Sequence, residues 1–560
     1  MSEKDKGKVC NNHVDNKFIS PDRANAPYNF INLPDDVLPS ELDKYICDRT
    51  DQEKVEQGYK DFIKSKKVFS GYIDLEFKTL TPVFIRGDNN YPYTLGERYV
   101  LPGSSIRGMI KNIFKIITMG ALRPTEDFQD RNLYFRQLMA PNKKFKDGSK
   151  EKYQWAIDLN NLYKRILKGT VKQGYLIKDK ENYYIVPDSH DFTTNDISDG
   201  KEVEIDNYKL DTNRRGKDLL DELKNKSKVR CFYVPSEKKI KLFGHCKKFR
   251  VPYNNSVGKI VKRSYKKNVE EIIDYTDAVF GKSPLFASRV FFEDAMSVNK
   301  INLMDDFPAH PLLQPNPTSF QFYLKQEFGE PLKNWDSEDA EIRGYKLYWH
   351  QSNNGKTDIE ASNAEKQLDA GKNDKDKVCP VMRPIPANSI FTSRLRFTNL
   401  LPEELGALLM CFDIDSPNKN IAFKLGQGKS LGLGSIKLQN YSLKTETDTA
   451  YKTFSQDNVM ADTCITVTDT SDFRKSFSDS IPKSQKNNWD HVKGELAAMM
   501  DYDNTVIPNW KKKTSTMPAS VGSNGKFRPN WRFIDRCVLP TVCEVIGGTK
   551  NNKKQPVFRK

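Results

Sequence analysis

No stretch of this 560-residue chain approaches the roughly 18 consecutive, predominantly apolar residues that would cross a bilayer. Its opening, Met-Ser-Glu-Lys-Asp-Lys, has neither an apolar core nor a cleavage site, so neither a membrane span nor a secretory leader is expected. The expected setting is cytoplasmic. Cysteine is sparse and scattered: Cys10, Cys47, Cys231, Cys246, Cys379, Cys411, Cys464, Cys537 and Cys543 are odd in number and never spaced C-x-x-C. Such a set reads as ordinary reduced thiols rather than a zinc site or a disulfide frame. The nucleotide-binding pattern G-x-x-x-x-G-K-[ST] is missing as well.

Positive charge is plentiful. Ninety Lys and Arg against 74 Asp and Glu give a formal charge of +16 and a pI near 9.1, which suits a polyanionic partner and equally a basic surface that only keeps the protein soluble. A hydrophobic fraction of 37% with 32 Phe and 24 Tyr describes a polar chain that nevertheless buries large side chains. The length suits three or four domains, or one fold enlarged by insertions.

Periodicity favours the second reading. In Val68 to Ile85, Phe69, Ile73, Leu75 and Phe77 share one parity, and Asp74, Glu76 and Lys78 the other, as in a half-buried strand. After Arg86-Gly87-Asp88-Asn89-Asn90 the chain reaches Pro102-Gly103-Ser104-Ser105, whose serines are expected to cap a helix over about Ser105 to Met119. Ile106, Met109, Ile110, Ile113, Phe114 and Ile117 supply its apolar stripe. Ser288 to Ala295 and Ser389 to Phe397 read as strands, Pro402 to Phe412 as a helix, and Ser435 to Leu443 as a final strand. The order β-α-β-β-α-β predicts an α+β fold with a ferredoxin-like, RRM-like core.

The predicted plan is an N-terminal arm (1–65), core parts at 66–120, 288–299 and 388–443, insertions at 121–287 and 300–387, and a C-terminal region (444–560). Within the insertions, Gly174 to Pro187 reads as a hairpin, and Asp191 to Glu204 and Asn353 to Lys377 as exposed linkers. The segment from Tyr28 to Leu33 reads as a docking arm or a solvated tail.

Some strings suit an RNA partner. Ser104, Ser105 and Arg107 at a helix start offer hydroxyls, backbone N–H groups and charge to a phosphate, with plain capping as the alternative. The glycines of Leu425-Gly426-Gln427-Gly428-Lys429-Ser430-Leu431-Gly432-Leu433-Gly434 let backbone amides approach a phosphate beside Lys429, or simply form a turn. Arg289, in Ser288-Arg289-Val290-Phe291-Phe292-Glu293-Asp294-Ala295, is within reach of RNA if that strand is exposed, and its two phenylalanines read as one core and one surface residue.

Taken with Thr81-Pro82, Phe280-Gly281 and the aromatic strings Ala26-Pro27-Tyr28-Asn29-Phe30, Phe243-Gly244-His245, Arg250-Val251-Pro252-Tyr253 and Arg343-Gly344-Tyr345-Lys346-Leu347-Tyr348-Trp349-His350, these motifs resemble the RAMP superfamily of CRISPR-associated proteins. The resemblance runs from Ala26 to Leu443. It implies a subunit of a type III-like antiviral effector complex that binds guide RNA, with target RNA and other effector subunits as further partners and no membrane. For RNA it marks Ser104, Ser105, Arg107, Arg289, Gly426, Gly428, Lys429, Gly432 and Gly434. It also places Asp88 in the loop where some backbone subunits carry an acid that cuts target RNA with Mg²⁺. A further alternative is metal-independent trimming of precursor guide RNA, for which His245, His350 and Lys346 are the candidates.

Overall fold

The central strand β1 (Phe69–Thr79) follows its parity: Ile73, Leu75, Phe77 and Thr79 are buried, while Tyr72, Asp74, Glu76 and Lys78 face the other way. A computed structural model describes residues 26–88, 91–124, 126–135, 171–188, 198–210, 218–246, 249, 251–305, 307–308, 320–327, 330, 332–351, 381–447, 464–503, 505–506, 538–547 and 558–559. Trp510, Trp531, the expected linker Asn353 to Lys377 and the first half of the linker Asp191 to Glu204 lie outside these residues, and within the second half Lys201–Glu202 is a short strand.

Along the chain, β1 is followed by β2 (Arg98–Leu101), α1 (Gly103–Ile117), β3 (Val290–Phe292), β4 (Ala295–Ser297), β5 (Ile390–Leu400), α2 (Pro402–Asp413), β6 (Ser435–Glu446), α3 (Ser471–Ser480) and α4 (Lys483–Met500). The strands form one antiparallel sheet in the order β6-β1-β5-β4-β2, with β3 also on β5. Short strands Phe423–Lys424 and Thr94–Leu95 extend its two edges, and Cys464–Val467 adds to β6. The fold is thus α+β. No helix among the described residues is long and apolar enough to cross a membrane.

Helices α1 and α2 cover one face of the sheet. Ile106, Ile110, Ile113, Phe114 and Ile117 of α1 join Leu405, Leu408, Leu409 and Phe412 of α2 in a single core with Ile73, Leu75, Phe77, Leu395 and Phe397. Each such side chain contributes about 1.5–3 kcal/mol on burial. A second layer lies over these helices. Trp489 of α4 donates its indole N–H to the carbonyl of Ile117, 2.8 Å, satisfying the end of α1. Gly406 of α2 lets α3 come close, since a Cβ there would lie 1.9 Å from the Phe473 carbonyl oxygen.

Between α1 and β3 the chain builds a five-stranded sheet with its own core of Leu176, Ile185, Val229, Cys231 and Phe243. The Gly174 to Pro187 hairpin is part of it, paired from Gly174↔Pro187 to Asp179↔Asn182. Tyr28–Ile31, read as an arm, is buried within its own chain, paired antiparallel with Tyr345–Tyr348.

Where the chain leaves α1, Arg123 is wholly buried. Its guanidinium donates to the carbonyls of Val269 (3.0 Å) and Ile272 (2.9 Å) and pairs with Asp274 (3.2 Å) and Asp277 (3.1 Å). Lys282 reaches Asp277 at 3.2 Å, and Lys115 reaches Asp127 at 2.6 Å. Burial pushes the Asp274 carboxyl up, but Arg123, Lys115 and the N–H groups of Ala121 and Asp277 outweigh it, and its pKa falls below the ordinary value. Burial and then the neighbouring Asp274 charge push Asp277 up to about 6. Removing the shared cation strands two buried carboxylates. Arg123→Ala is therefore expected to lower the free energy of unfolding by about 3–5 kcal/mol, read by urea denaturation; a loss below about 1 kcal/mol, the value of an exposed pair, would contradict the cluster's role.

Candidate nucleic-acid interface

The face of the sheet opposite the helices carries a row of side chains that crosses four strands. Phe291 of β3 sits opposite Arg396 of β5, Arg396 opposite Tyr72 of β1, and Tyr72 opposite Lys444 of β6. Phe291 is 51% exposed, whereas its neighbour Phe292 packs on the core, stacked on Phe280 with ring centroids 6.4 Å apart. The Arg394 guanidinium lies 3.9 Å from the centroid of the Tyr72 ring, and the Lys444 ammonium 5.3 Å. Arg394 also bonds Asp74 (2.7 Å) and Arg396 bonds Glu293 (2.8 Å), which orients both guanidinium groups along the face. Lys78 and Lys437 are opposite each other at the far end of the same face.

At one end of the sheet, the glycine-rich loop packs against the chain leaving β1. Gly434 donates to the Pro82 carbonyl and Gln427 to the Phe84 carbonyl, both at 2.8 Å. The glycines answer to this packing. A Cβ on Gly426 would lie 2.5 Å from the Phe84 carbonyl oxygen, and one on Gly434, at φ +81, 2.0 Å from that of Leu425. Beyond Phe84, Asp88 is exposed in a turn closed by the Tyr91 N–H on its own carbonyl, 3.0 Å. The Gly87 N–H on the Tyr91 carbonyl and the Tyr93 N–H on the Ile85 carbonyl make this turn the tip of a short hairpin, and between it and the sheet edge Tyr91 and Tyr93 are each 44% exposed and Leu95 59%. Arg383 lies over the Tyr91 ring at 5.1 Å.

A family model described as the RAMP superfamily matches residues 76–437. The chain belongs to the RAMP superfamily. That match opens within β1 and closes within β6, and so takes in α1, α2 and β2 to β5 whole and β1 and β6 in part. Among solved structures, the chain is similar to Cmr6 from Pyrococcus furiosus, with 13% identity and a TM-score of 0.22 over 66% of this chain and 98% of that one. It is also similar to a chain of a CRISPR RNA-guided surveillance complex in a pre-nicking state, with 10% identity and a TM-score of 0.23 over 68% of this chain and 79% of that one. At these scores the two likenesses carry no argument, and membership rests on the family model. No curated protein matches.

In this RAMP protein the residues expected to meet RNA have varied surroundings. Helix α1 starts at Gly103, two residues before the expected Ser105, so Ser104 and Ser105 lie in its first turn and neither side chain caps it. The cap comes from the neighbouring strand connection: Asp294 Oδ1 accepts the Gly103 N–H at 2.7 Å. Ser104 is exposed and Ser105 half-buried. Arg107 turns inward, donating to the Phe280 carbonyl at 2.8 Å with its guanidinium 5.4 Å from the Phe280 ring. Arg289 corrects the expectation most sharply. It is 3% exposed, and it donates to the carbonyls of Ala278 (2.8 Å) and Asn399 (2.6 Å) and to the carboxylate of the wholly buried Glu404. Its role is to join β3 to the start of α2. Lys429 is half-buried, and burial lowers its pKa.

Among the described residues Asp88 belongs to no group of three possible metal ligands. A single carboxylate holds Mg²⁺ only together with waters and substrate phosphates, so no cleavage step is derived through it. The residues considered for metal-independent trimming do not converge either. His245 is exposed beside the five-stranded sheet, and the Lys346 ammonium sits 3.9 Å over the Tyr28 ring.

His350 is 1% exposed, with Nε2 3.1 Å from the Ala422 carbonyl oxygen and Nδ1 2.9 Å from Ser435 Oγ. A carbonyl only accepts, so Nε2 carries the proton and Nδ1 accepts from the serine, the pattern of a neutral imidazole. Burial, with Lys424 adding to it, pushes its pKa down to about 3. Because the folded value is depressed, its contribution to stability is complete above the unfolded value near 6.5 and is lost as pH falls towards 3. The wild type is expected to lose about 2 kcal/mol between pH 7 and pH 5 through this residue. His350→Gln should remove that part of the slope in urea titrations at the two pH values; an unchanged slope would rule the assignment out.

Proposed function

We propose that this chain is an RNA-binding subunit of a type III-like CRISPR effector complex, and that it grips guide RNA across the open face of a ferredoxin-like core. With the edge strand β2 set aside and β3 and β4 taken as one interrupted strand, the order β-α-β-β-α-β along the chain and the spatial order β6-β1-β5-β4 both support the core assignment. Membership of the RAMP superfamily supports the setting.

The observation that carries the proposal is the row Phe291–Arg396–Tyr72–Lys444. Unpaired bases stack on aromatic rings, and their phosphates are met by adjacent cations; a sheet face holding both at strand spacing presents successive nucleotides with alternating partners. Neither the ring nor the cation depends on sequence, which suits a subunit that must accept any guide. The sheet edge with Tyr93 and Leu95 suits contact with a neighbouring effector subunit, since exposed apolar side chains gain from a partner's surface.

The test is fluorescence anisotropy of the full chain with a labelled single-stranded repeat-derived RNA. Stacking is worth about 1–3 kcal/mol per base, so Phe291→Ala and Tyr72→Ala should each weaken binding by roughly 5- to 100-fold. Arg396→Ala should reduce the slope of log affinity against log salt by about one phosphate contact. Wild-type affinity in all three variants, or no RNA binding at moderate salt, would overturn the reading.

A further inference from the structure

Away from the open face, helix α4 and the short helix Val542–Gly547 bring together three side chains with complementary chemistry. His491 and Glu495 are one helical turn apart on α4, and Cys543 faces them from the other helix. Cys543 Sγ is 3.6 Å from His491 Nε2 and 3.4 Å from Glu495 Oε1, and one ligand atom from each residue lies within 4.8 Å of the others. A tetrahedral zinc ion with a sulfur at about 2.3 Å and nitrogen or oxygen at about 2.0–2.1 Å has edges of roughly 3.3–3.6 Å between ligand atoms. The two measured edges to sulfur fit that figure.

A second observation points to a ligand. Glu495 is only 5% exposed, and its Oε2 is buried with no hydrogen-bond partner, 4.0 Å from His491 Nδ1. A buried carboxylate oxygen without a donor is costly, about 1–3 kcal/mol or more for a charged group, unless something positive meets it. The neighbouring acid Glu544 is not available for that purpose in the same way, because its carboxylate accepts from Thr541 N–H (2.8 Å) and Oγ (3.2 Å).

We propose that His491, Glu495 and Cys543 bind one divalent zinc ion, with water at the fourth position, and that the ion staples the helix Val542–Gly547 to α4. The thiolate, imidazole and carboxylate set is the kind zinc accepts, whereas Mg²⁺ and Ca²⁺ prefer oxygen alone. The staple has something to hold. Val542 and Val545 enter the main core, the Leu539 carbonyl accepts from Arg343, and the Pro540 carbonyl accepts from Asn29 at 3.1 Å, so this segment also supports the strand Tyr28–Ile31. The inference stands on this geometry alone and does not depend on RNA binding.

The experiment uses the untagged full chain, loaded with ZnCl₂ and desalted, with bound metal measured by mass spectrometry. One zinc per chain is expected, falling at least tenfold in Cys543→Ser and in His491→Gln. Loading with Co²⁺ instead should give a thiolate-to-cobalt charge-transfer band that disappears in Cys543→Ser, although every other cysteine remains. A third arm needs no substitution: chelation should lower the melting temperature of the wild type, and zinc should restore it. Absence of stoichiometric zinc, an unchanged cobalt band in Cys543→Ser, or a melting temperature indifferent to chelation would each overturn the proposal.

Discussion

Arg123 holds the two ends of a long excursion together. It lies just beyond α1, and its partners Val269, Ile272, Asp274 and Asp277 lie just before the chain re-enters the sheet at β3. Everything between them can fold around its own core, as the five-stranded sheet does, because the entropy of closing a loop grows only with the logarithm of its length. What cannot vary is the place where the loop closes. A charge buried at 0% exposure with two carboxylates and two carbonyls around it has one acceptable arrangement, and that arrangement fixes where β3 starts relative to α1.

Arg289 repeats the device at the next crossing. It ties the entry of β3 to Asn399 at the end of β5 and to Glu404 in the first turn of α2, while Glu404 also accepts the Leu401 N–H at 2.9 Å. One carboxylate therefore caps a helix and neutralises a buried cation. With the connections pinned in this way, the sheet needs no support from its outer face, which is free to carry polar and aromatic groups.

Much of this was legible in the sequence. The parity of Ile73, Leu75 and Phe77 and the spacing of Ile106, Ile110, Ile113 and Ile117 reflect burial against a single surface, which is a local property. What the sequence concealed depends on partners far away along the chain. Asp294 caps a helix 191 positions before it, and His350 is fixed by Ala422 and Ser435. Arg289 in a strand next to two phenylalanines looks like a surface cation until Glu404 is placed beside it. The row on the outer face was hidden for a related reason. Parity puts Tyr72 on the outer face, and alternation in β5 puts Arg394 and Arg396 together, but only the register of three pairings aligns them with Phe291 and Lys444. The glycine-rich loop was visible, yet its glycines serve close backbone packing on Phe84 and Leu425.

The ion pairs on the outer face set how it can exchange partners. Arg394–Asp74 and Arg396–Glu293 are solvent-accessible, and pairs of that kind contribute about 0–1 kcal/mol. Each holds its guanidinium by a single hydrogen bond, with the Arg394 guanidinium carbon 3.9 Å from the Tyr72 ring centroid, and is weak enough to be given up to an anion that offers two. A lysine in either place would keep the charge and lose the fork. The buried arginines, by contrast, have no such freedom, because their carboxylate partners cannot be resolvated when the cation leaves. The same residue type thus serves as a fixed brace on one side of the sheet and sits in a solvent-accessible pair on the other, and the difference lies entirely in whether water can reach its partner.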